Sequence, residues 1–379
     1  MKKNMCFVMD LFLYGGIERV AINYLKGIDK DLYNIDVVIL SDVENMINQI
    51  PNECNIIKIN IPRSHNPLYR ASTMIKRPAG AILYYGTYIL KKMFIYPIDY
   101  IKTAILRNKK YDIAIAFSGH MNDCYVVLNF VKALKKITWT HGMVYQYLLL
   151  SPGFEKMYQK FDKVATITHI NQNDIYECKE YLKFPLISIY NPTYKISSEM
   201  KLEIDYGKYI LSVARLETPK DFDTLIDAYN LLNDKIKKSY KLLIVGDGPD
   251  RNKIEEKIKL LNLEKKILLL GSQDNVDKYY KNATLFVLST KSEGLGMVII
   301  EAMGNGCPVI STDAPYGPRD ILGNNEYGLL CPVGDSYKMS KKIEEIIENE
   351  PLRNKLKEKG LKRYKDFELS KEFYDLVEK

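Results

Sequence analysis

Two cations and two carboxylates, each pair at a short fixed spacing, are the residues of this 379-residue chain best suited to chemistry. Arg215 and Lys220 stand in Ala214-Arg215-Leu216-Glu217-Thr218-Pro219-Lys220, directly after the apolar run Tyr209–Val213. A guanidinium fork and an ammonium point charge in one loop suit the clamping of a diphosphate. Glu293 and Glu301 bracket Gly294-Leu295-Gly296-Met297-Val298-Ile299-Ile300. Glycines 294 and 296 free the backbone, and the apolar run from Met297 predicts a helix with Glu301 in its second turn. The two carboxylates then face one pocket, where each can accept paired hydroxyls. Seen singly, the four are also what solvated loops and helix surfaces carry.

Glycines mark two further places. Gly15-Gly16 opens a predicted helix after the first apolar run, where bare backbone and a helix N-terminus favour a phosphate. A tight turn would need the same residues. The G-x-G-x-x-G dinucleotide fingerprint is missing there, which counts against a dehydrogenase. Gly246-Asp247-Gly248-Pro249 follows the strand Lys241–Val245 and reads equally as a plain turn. His141, in Trp139-Thr140-His141-Gly142, and His120, in Ser118-Gly119-His120, both fall at predicted strand ends. A histidine there serves as a donor, an acceptor or a packing residue.

Parallel strands are the elements that place such residues, because ligands bind beyond their carboxyl ends. Short apolar runs alternate with helical patterns along the whole chain, as βαβ units require. The first half offers strands at Met5–Met9, Ile35–Leu40, Ile56–Ile59, Ile113–Phe117, Ile137–Thr140, Val164–Thr168 and Leu186–Ile189. The second offers Tyr209–Val213, Lys241–Val245, Ile267–Leu270, Leu285–Leu288 and Pro308–Ser311. Between Ile17 and Ile28 the apolar residues 17, 20, 21, 24, 25 and 28 form one helix face. Asn191-Pro192 and the polar stretch to Asp205 mark the joint between domains 1–190 and 191–379, and Glu344–Lys379 reads as a closing helical element.

The composition is that of a globular protein, with 46% hydrophobic and 27% charged residues. Six cysteines without a C-x-x-C pair and four unclustered histidines fit neither a disulfide framework nor a zinc site. The apolar run of Met5–Met9 stops at Asp10, too short for a secretory h-region, so a cytoplasmic protein is expected. Charge is lopsided. Residues 1–190 hold 24 Lys and Arg against 16 Asp and Glu, whereas 191–379 hold 31 against 31. Arg63–Lys110 alone has ten basic residues and one acid, Asp99, with Tyr69, Tyr84, Tyr85, Tyr88, Tyr96 and Tyr100 interleaved. No run there spans a bilayer, but cations and aromatics on short helices suit an anionic membrane surface. A solvated basic insertion is the other reading; no nucleic-acid motif accompanies the patch, so nucleic acid is not expected.

Together these motifs resemble glycosyltransferase family 4, retaining enzymes of GT-B fold, and bacterial surface-polysaccharide glycosyltransferases in particular. The resemblance runs over nearly the whole chain. It is sharpest from Tyr209 to Pro332, through Arg215/Lys220, Gly246–Pro249, the E-x7-E from Glu293 to Glu301, and Gly306-Cys307-Pro308-Val309-Ile310. It implies an α/β chain of two doubly wound, Rossmann-like domains facing across a cleft, the first for the acceptor and the second for a UDP-sugar donor. By position, Arg215 and Lys220 would hold the diphosphate, and Glu293, beside the backbone of Gly294, Leu295 and Gly296, would bind the sugar. Glu301 would grip the ribose, Gly246 would line the same edge, Gly16 would lie by the phosphates, and His141 would contact the donor sugar. A hexose or N-acetylhexosamine would pass to a saccharide, lipid-linked, in capsule or surface-glycan synthesis at the inner face of the membrane. A sugar-nucleotide-binding subunit and a soluble protein or glycan acceptor are the alternatives.

Three positions depart from the family pattern: Asp221 replaces a glycine, Gly304-Asn305 stands for Ala-Cys or Ala-Ala, and Asp320 shortens the acid of G-P-R-E-I-L. Asp221-Phe222-Asp223 imitates a D-x-D metal site but sits at a helix start, where acids are favoured anyway. No metal is expected, since Arg215 and Lys220 can neutralise a leaving diphosphate.

Overall fold

The computed structural model describes residues 2–10, 16–41, 46–61, 96–119, 121–141, 156–166, 186–193, 205–273, 275–315, 317–369 and 371–378. Two compact units divide the chain: Met1–Pro192 with Leu369–Lys379, and Thr193–Glu368. The first runs β1 (Lys3–Met9), α1 (Gly16–Gly27), β2 (Tyr33–Ile39), β3 (Asn55–Lys58), α2 (Tyr96–Lys102), α3 (Ala104–Arg107), β4 (Tyr111–Ala116), α4 (Met121–Phe130), β5 (Ala133–Thr140), β6 (Lys163–Thr166) and β7 (Leu186–Ser188). Its seven strands are parallel, in the order β3-β2-β1-β4-β5-β6-β7. Strand order reverses between β1 and β4, so crossovers leave to opposite sides and open a crevice at that switch point. Buried on both faces, these strands read as near-continuous apolar runs such as Cys6-Phe7-Val8-Met9.

The second unit runs β8 (Tyr209–Val213), α5 (Phe222–Asn230), α6 (Asp234–Ser239), β9 (Lys241–Val245), α7 (Arg251–Leu260), β10 (Ile267–Leu269), α8 (Asp277–Asn282), β11 (Leu285–Leu288), α9 (Met297–Gly304), β12 (Val309–Thr312), α10 (Gly317–Leu322), β13 (Leu329–Cys331), α11 (Ser336–Glu348) and α12 (Glu350–Tyr364). Six parallel strands lie in the order β10-β9-β8-β11-β12-β13, reversing between β8 and β11. The expected pair of doubly wound α/β units is therefore present. All twelve expected strands are found within a few residues at each end, though the last two residues of Val164–Thr168 lie outside the described part. The strand β13 was not expected.

The chain ends differ from the sequence reading, which assigned everything after 190 to the second domain. The last helix, α13 (Lys371–Glu378), belongs to the first unit. Phe373 is fully buried there, its ring 5.2 Å from Tyr24 and 6.4 Å from Trp139. Lys163 and Lys135 donate to the last-turn carbonyls of Leu376 and Val377 at 3.1 and 3.2 Å, satisfying groups that have no partner within a helix. Glu378 is bonded by Lys3 and Tyr33, which hold its carboxyl below the usual range. Phe373→Ala should destabilise the first unit by about 3–5 kcal/mol, as for any large aromatic deleted from a packed core. In thermal unfolding the transition of the first unit should fall and that of the second stay put. Equal shifts in both would place α13 elsewhere.

Candidate functional site

The loop carrying Arg215 is built by backbone contacts from two directions. Ala214 N donates to Val245 O at 3.1 Å, Leu216 N to Asp247 O at 3.0 Å, and Asp250 N to Leu216 O at 3.0 Å. Leu216 is fully buried, which pins the loop and leaves the Arg215 side chain exposed, 3.5 Å from Glu217. Gly246 and Gly248 explain the Gly-Asp-Gly-Pro turn. Gly246 has φ of 135°, and a Cβ on it would lie 2.0 Å from Ala214 O; one on Gly248 would lie 2.3 Å from Leu216 O. The turn fits only glycine because it grips the arginine loop, so Gly246 has a structural reason to be where a ligand contact was expected.

Lys220 ends a short 3₁₀ turn, Thr218–Lys220, that is tied to the loop after β11. Ser289 Oγ donates to Lys220 O at 3.1 Å, Thr290 Oγ1 to Pro219 O at 2.9 Å, and Lys291 N to Pro219 O at 2.8 Å. These bonds bring two segments 73 residues apart into one place, and the Lys220 ammonium bonds the Glu293 carboxylate. Both side chains are largely shielded, 17% and 14% exposed. In a charge pair withdrawn this far from water, removing one partner leaves the other charge shielded and uncompensated. The sequence placed each partner at a strand end but did not foresee that they pair.

The glycine-rich segment after Glu293 turns into α9. Gly296 is the N-cap at φ of 90° and ψ of 53°, a left-handed conformation that favours glycine. Leu295 is buried, so only its backbone and that of Gly294 are available at this turn. Gly317, at the start of α10, lies against this segment: a Cβ there would sit 2.0 Å from Leu295 O and 2.4 Å from its carbonyl carbon. Glu301 is 5% exposed, with Tyr280 Oη donating to its Oε2 at 3.3 Å. The alternative reading of Glu301 as a helix-surface acid is thereby excluded. Asn305, one of the unusual residues, donates to Asp277 Oδ1 and to Glu301 O at 3.0 Å each, so it ties α9 to α8.

Asp221 answers the glycine it replaces. Its φ is 42° and ψ 49°, the left-handed region where glycine is at ease and aspartate is tolerated. Thr224 Oγ1 donates to its carboxylate at 2.7 Å, and Lys291 lies 3.4 Å away. Asp223 is taken by Lys253 at 2.7 Å and Lys257 at 3.4 Å. The two acids of the D-x-D thus face different lysines. Asp221→Ala should cost about 1–3 kcal/mol, because it loses the Thr224 and Lys291 contacts and puts alanine in a left-handed conformation that aspartate tolerates better. Asp221→Gly should cost less than half of that, because it trades the same contacts for a relaxed backbone. Equal losses in urea denaturation would show that the contacts, not the conformation, matter.

In the first unit, His141 follows β5 with Nε2 2.6 Å from Phe117 O, a contact that needs the ring proton on Nε2. Its ring centroid is 4.8 Å from that of Phe117. Gly16 opens α1, and a Cβ on it would meet nothing within 4 Å. Packing therefore gives no reason for glycine at 16, in contrast to 246 and 317. Asp320, the shortened acid, lies in the first turn of α10, while the neighbouring Arg319 bonds Asp313. Gly15, His120 and Arg63–Ile95 lie outside the described residues.

Residues 197–363 match the family described as glycosyl transferases, group 1. The second unit is thus similar to that family over most of its length, and the match covers less than half of the chain. The N-acetylgalactosamine-N,N'-diacetylbacillosaminyl-diphospho-undecaprenol 4-alpha-N-acetylgalactosaminyltransferase of Campylobacter jejuni is 37% identical over 161 residues, 42% of this chain and 43% of that one. The match thus spans less than half of that relative. An uncharacterized glycosyltransferase of Haemophilus influenzae is 25% identical over 375 residues, 98% of each chain. Among solved structures, S. aureus TarM in a complex with UDP has a TM-score of 0.73 at 15% identity, covering 100% of both chains. Anabaena Alr3699/HepE with UDP and glucose has 0.70 at 16%, covering 99% of this chain and 98% of that one. At these identities the likeness is one of fold, and it covers the whole chain, an α/β chain of GT-B fold.

Proposed function

We infer that this chain is a retaining, metal-independent hexosyltransferase. It takes a hexose or N-acetylhexosamine from a UDP-sugar and places it on a saccharide acceptor, lipid-linked, in capsule or other surface-glycan synthesis. The observation that carries this reading is the shielded Lys220–Glu293 pair at the switch point of the second sheet, beside the loop that presents Arg215. Arg215 and Lys220 stabilise the leaving UDP diphosphate, whose charge grows as the glycosidic bond breaks. Glu293 accepts hydroxyls of the transferred sugar and Glu301 those of the ribose. Gly16 leaves room for the donor phosphates, and His141 meets the donor sugar. The acceptor hydroxyl attacks from the face that the diphosphate leaves, and a phosphate oxygen takes its proton. The two cations neutralise the diphosphate charge that a metal would otherwise offset.

Support for the acceptor class comes from the Campylobacter relative, whose name specifies a diphospho-undecaprenol saccharide. Such an acceptor fits a peripheral protein at the cytoplasmic face of a membrane; no described helix is long and apolar enough to cross one. The test incubates the protein with UDP-glucose, UDP-galactose and their N-acetylated counterparts, each with a lipid-diphospho-saccharide, in EDTA and in Mg²⁺. UDP release with an α-linked product in EDTA is expected. Release that only Mg²⁺ supports would sink the metal-free mechanism, and an inverted anomer would sink retention. Absence of both turnover and thermal stabilisation by any UDP-sugar would remove the enzyme reading.

A further inference from the structure

The helix pair α2–α3 has its polarity reversed for a protein surface surrounded by water. Asp99, Thr103 and Leu106 point inward and are buried, whereas Ile98, Ile101 and Ile105 point outward, 50%, 74% and 49% exposed. The two sets follow the i, i+3/i+4, i+7 spacing of different helix faces, carried across the break at Thr103 between the two helices. A surface helix of a soluble protein buries the isoleucines and turns the aspartate to solvent. Here the buried Asp99 carboxyl interacts with the Tyr125 phenol, and Thr103 Oγ1 donates to Asp99 O at 2.7 Å.

Burying Asp99 has an electrostatic result. It is the single acid among the ten basic residues of Arg63–Lys110, so no negative charge of this stretch reaches the surface. Lys102 and Lys110 are exposed, the Lys102 ammonium donating to Asn60 O at 2.9 Å. Arg107 lies 3.4 Å from the centroid of the Tyr100 ring and donates to Tyr100 O at 2.8 Å, so a cation and an exposed aromatic form one rim. The acid Asp36 is bonded by Lys109 and Tyr111, at 2.7 Å each, which offsets its charge.

We propose that the Ile98–Ile101–Ile105 face of α2–α3 inserts into an anionic lipid bilayer surface, with Lys102, Arg107 and Lys110 on the headgroups and Tyr100 at the interface. This rests on the peripheral-membrane reading above and assigns its contact. Three aliphatic side chains supply an attraction that salt does not weaken, and the cations supply one that salt does. Each basic residue near such a surface contributes about fivefold in partition.

Flotation of the full chain with phosphatidylcholine vesicles, with and without phosphatidylglycerol, tests the assignment. The wild type should float with the anionic vesicles. Ile98→Ser/Ile101→Ser/Ile105→Ser should reduce that partition at least tenfold at low and high salt, with unchanged melting because the residues are exposed. Lys102→Gln/Lys110→Gln should reduce it only at low salt, and both variants should keep UDP release in detergent. Flotation of the serine variant like wild type would overturn this contact while leaving peripheral binding intact. A wild type that stays unbound at low salt would overturn peripheral binding itself, and detergent turnover would then report separately on the enzyme. Equal flotation on neutral vesicles would remove the electrostatic half. A wild-type dimer that the serine variant splits, without flotation, would make the face a self-interface.

Discussion

Lys220→Ala should lower kcat by about 10²–10³-fold, the usual loss when one preorganised donor to a developing anion is removed. Its effect on stability has a different origin. Lys220 and Glu293 are both shielded, so deleting the ammonium leaves a carboxylate unpaired, at a cost of about 1–3 kcal/mol. Adding Glu293→Gln to Lys220→Ala removes the stranded charge and should restore most of the melting temperature without restoring turnover. The double-mutant cycle thus separates two roles that a single variant would confuse. Arg215→Ala offers the complement, because its side chain is exposed beside Glu217 and the loop is held by Leu216 and its backbone bonds. It should lose activity with almost no change in stability. Near wild-type turnover in the Arg215→Ala/Lys220→Ala variant would rule out the diphosphate clamp. So would a kcat in the cycle that recovers together with the melting temperature.

How far the sequence could be read depends on whether a feature is local. Tyr209–Val213, Lys241–Val245 and Leu285–Leu288 are strands residue for residue, because buried parallel strands are near-continuous apolar runs bounded by polar loops. The strand β13 escaped notice because Leu329–Cys331 is three residues long, between Gly328 and Pro332, too short to show any period. The return of α13 to the first unit was equally invisible: the amphipathic pattern shows that Phe373 is buried, but not which core receives it. For Glu301 a signal existed. Its neighbours Val298, Ile299, Ile300, Ala302 and Met303 leave α9 apolar on nearly every side, the mark of a buried helix. The Lys220–Glu293 bond had no such signal, since it depends on Ser289, Thr290 and Lys291 holding the 3₁₀ turn across 73 residues.

Gly317 shows how a residue without functional groups can govern the site. Its Cβ would lie 2.0, 2.4 and 2.7 Å from the O, C and Cα of Leu295, all backbone atoms that no rotamer change can move aside. Leu295 is itself buried, so relief must come from shifting the Glu293–Gly296 turn as a body. Gly317→Ala should therefore displace the Glu293 carboxylate, and a misplacement near 1 Å costs about 10²-fold in rate. The overpacking itself should destabilise the second unit by about 1–3 kcal/mol. Gly334→Ala is the control: φ is 76° and nothing lies within 4 Å, so it carries backbone strain without a clash. A similar loss of melting temperature is expected there, with kcat/KM retained. The deciding comparison is UDP-sugar turnover per folded molecule in the two variants, alongside UDP affinity. If Gly317→Ala turns over like Gly334→Ala, the Leu295 peptide yields without moving Glu293, and Gly317 only supports the fold.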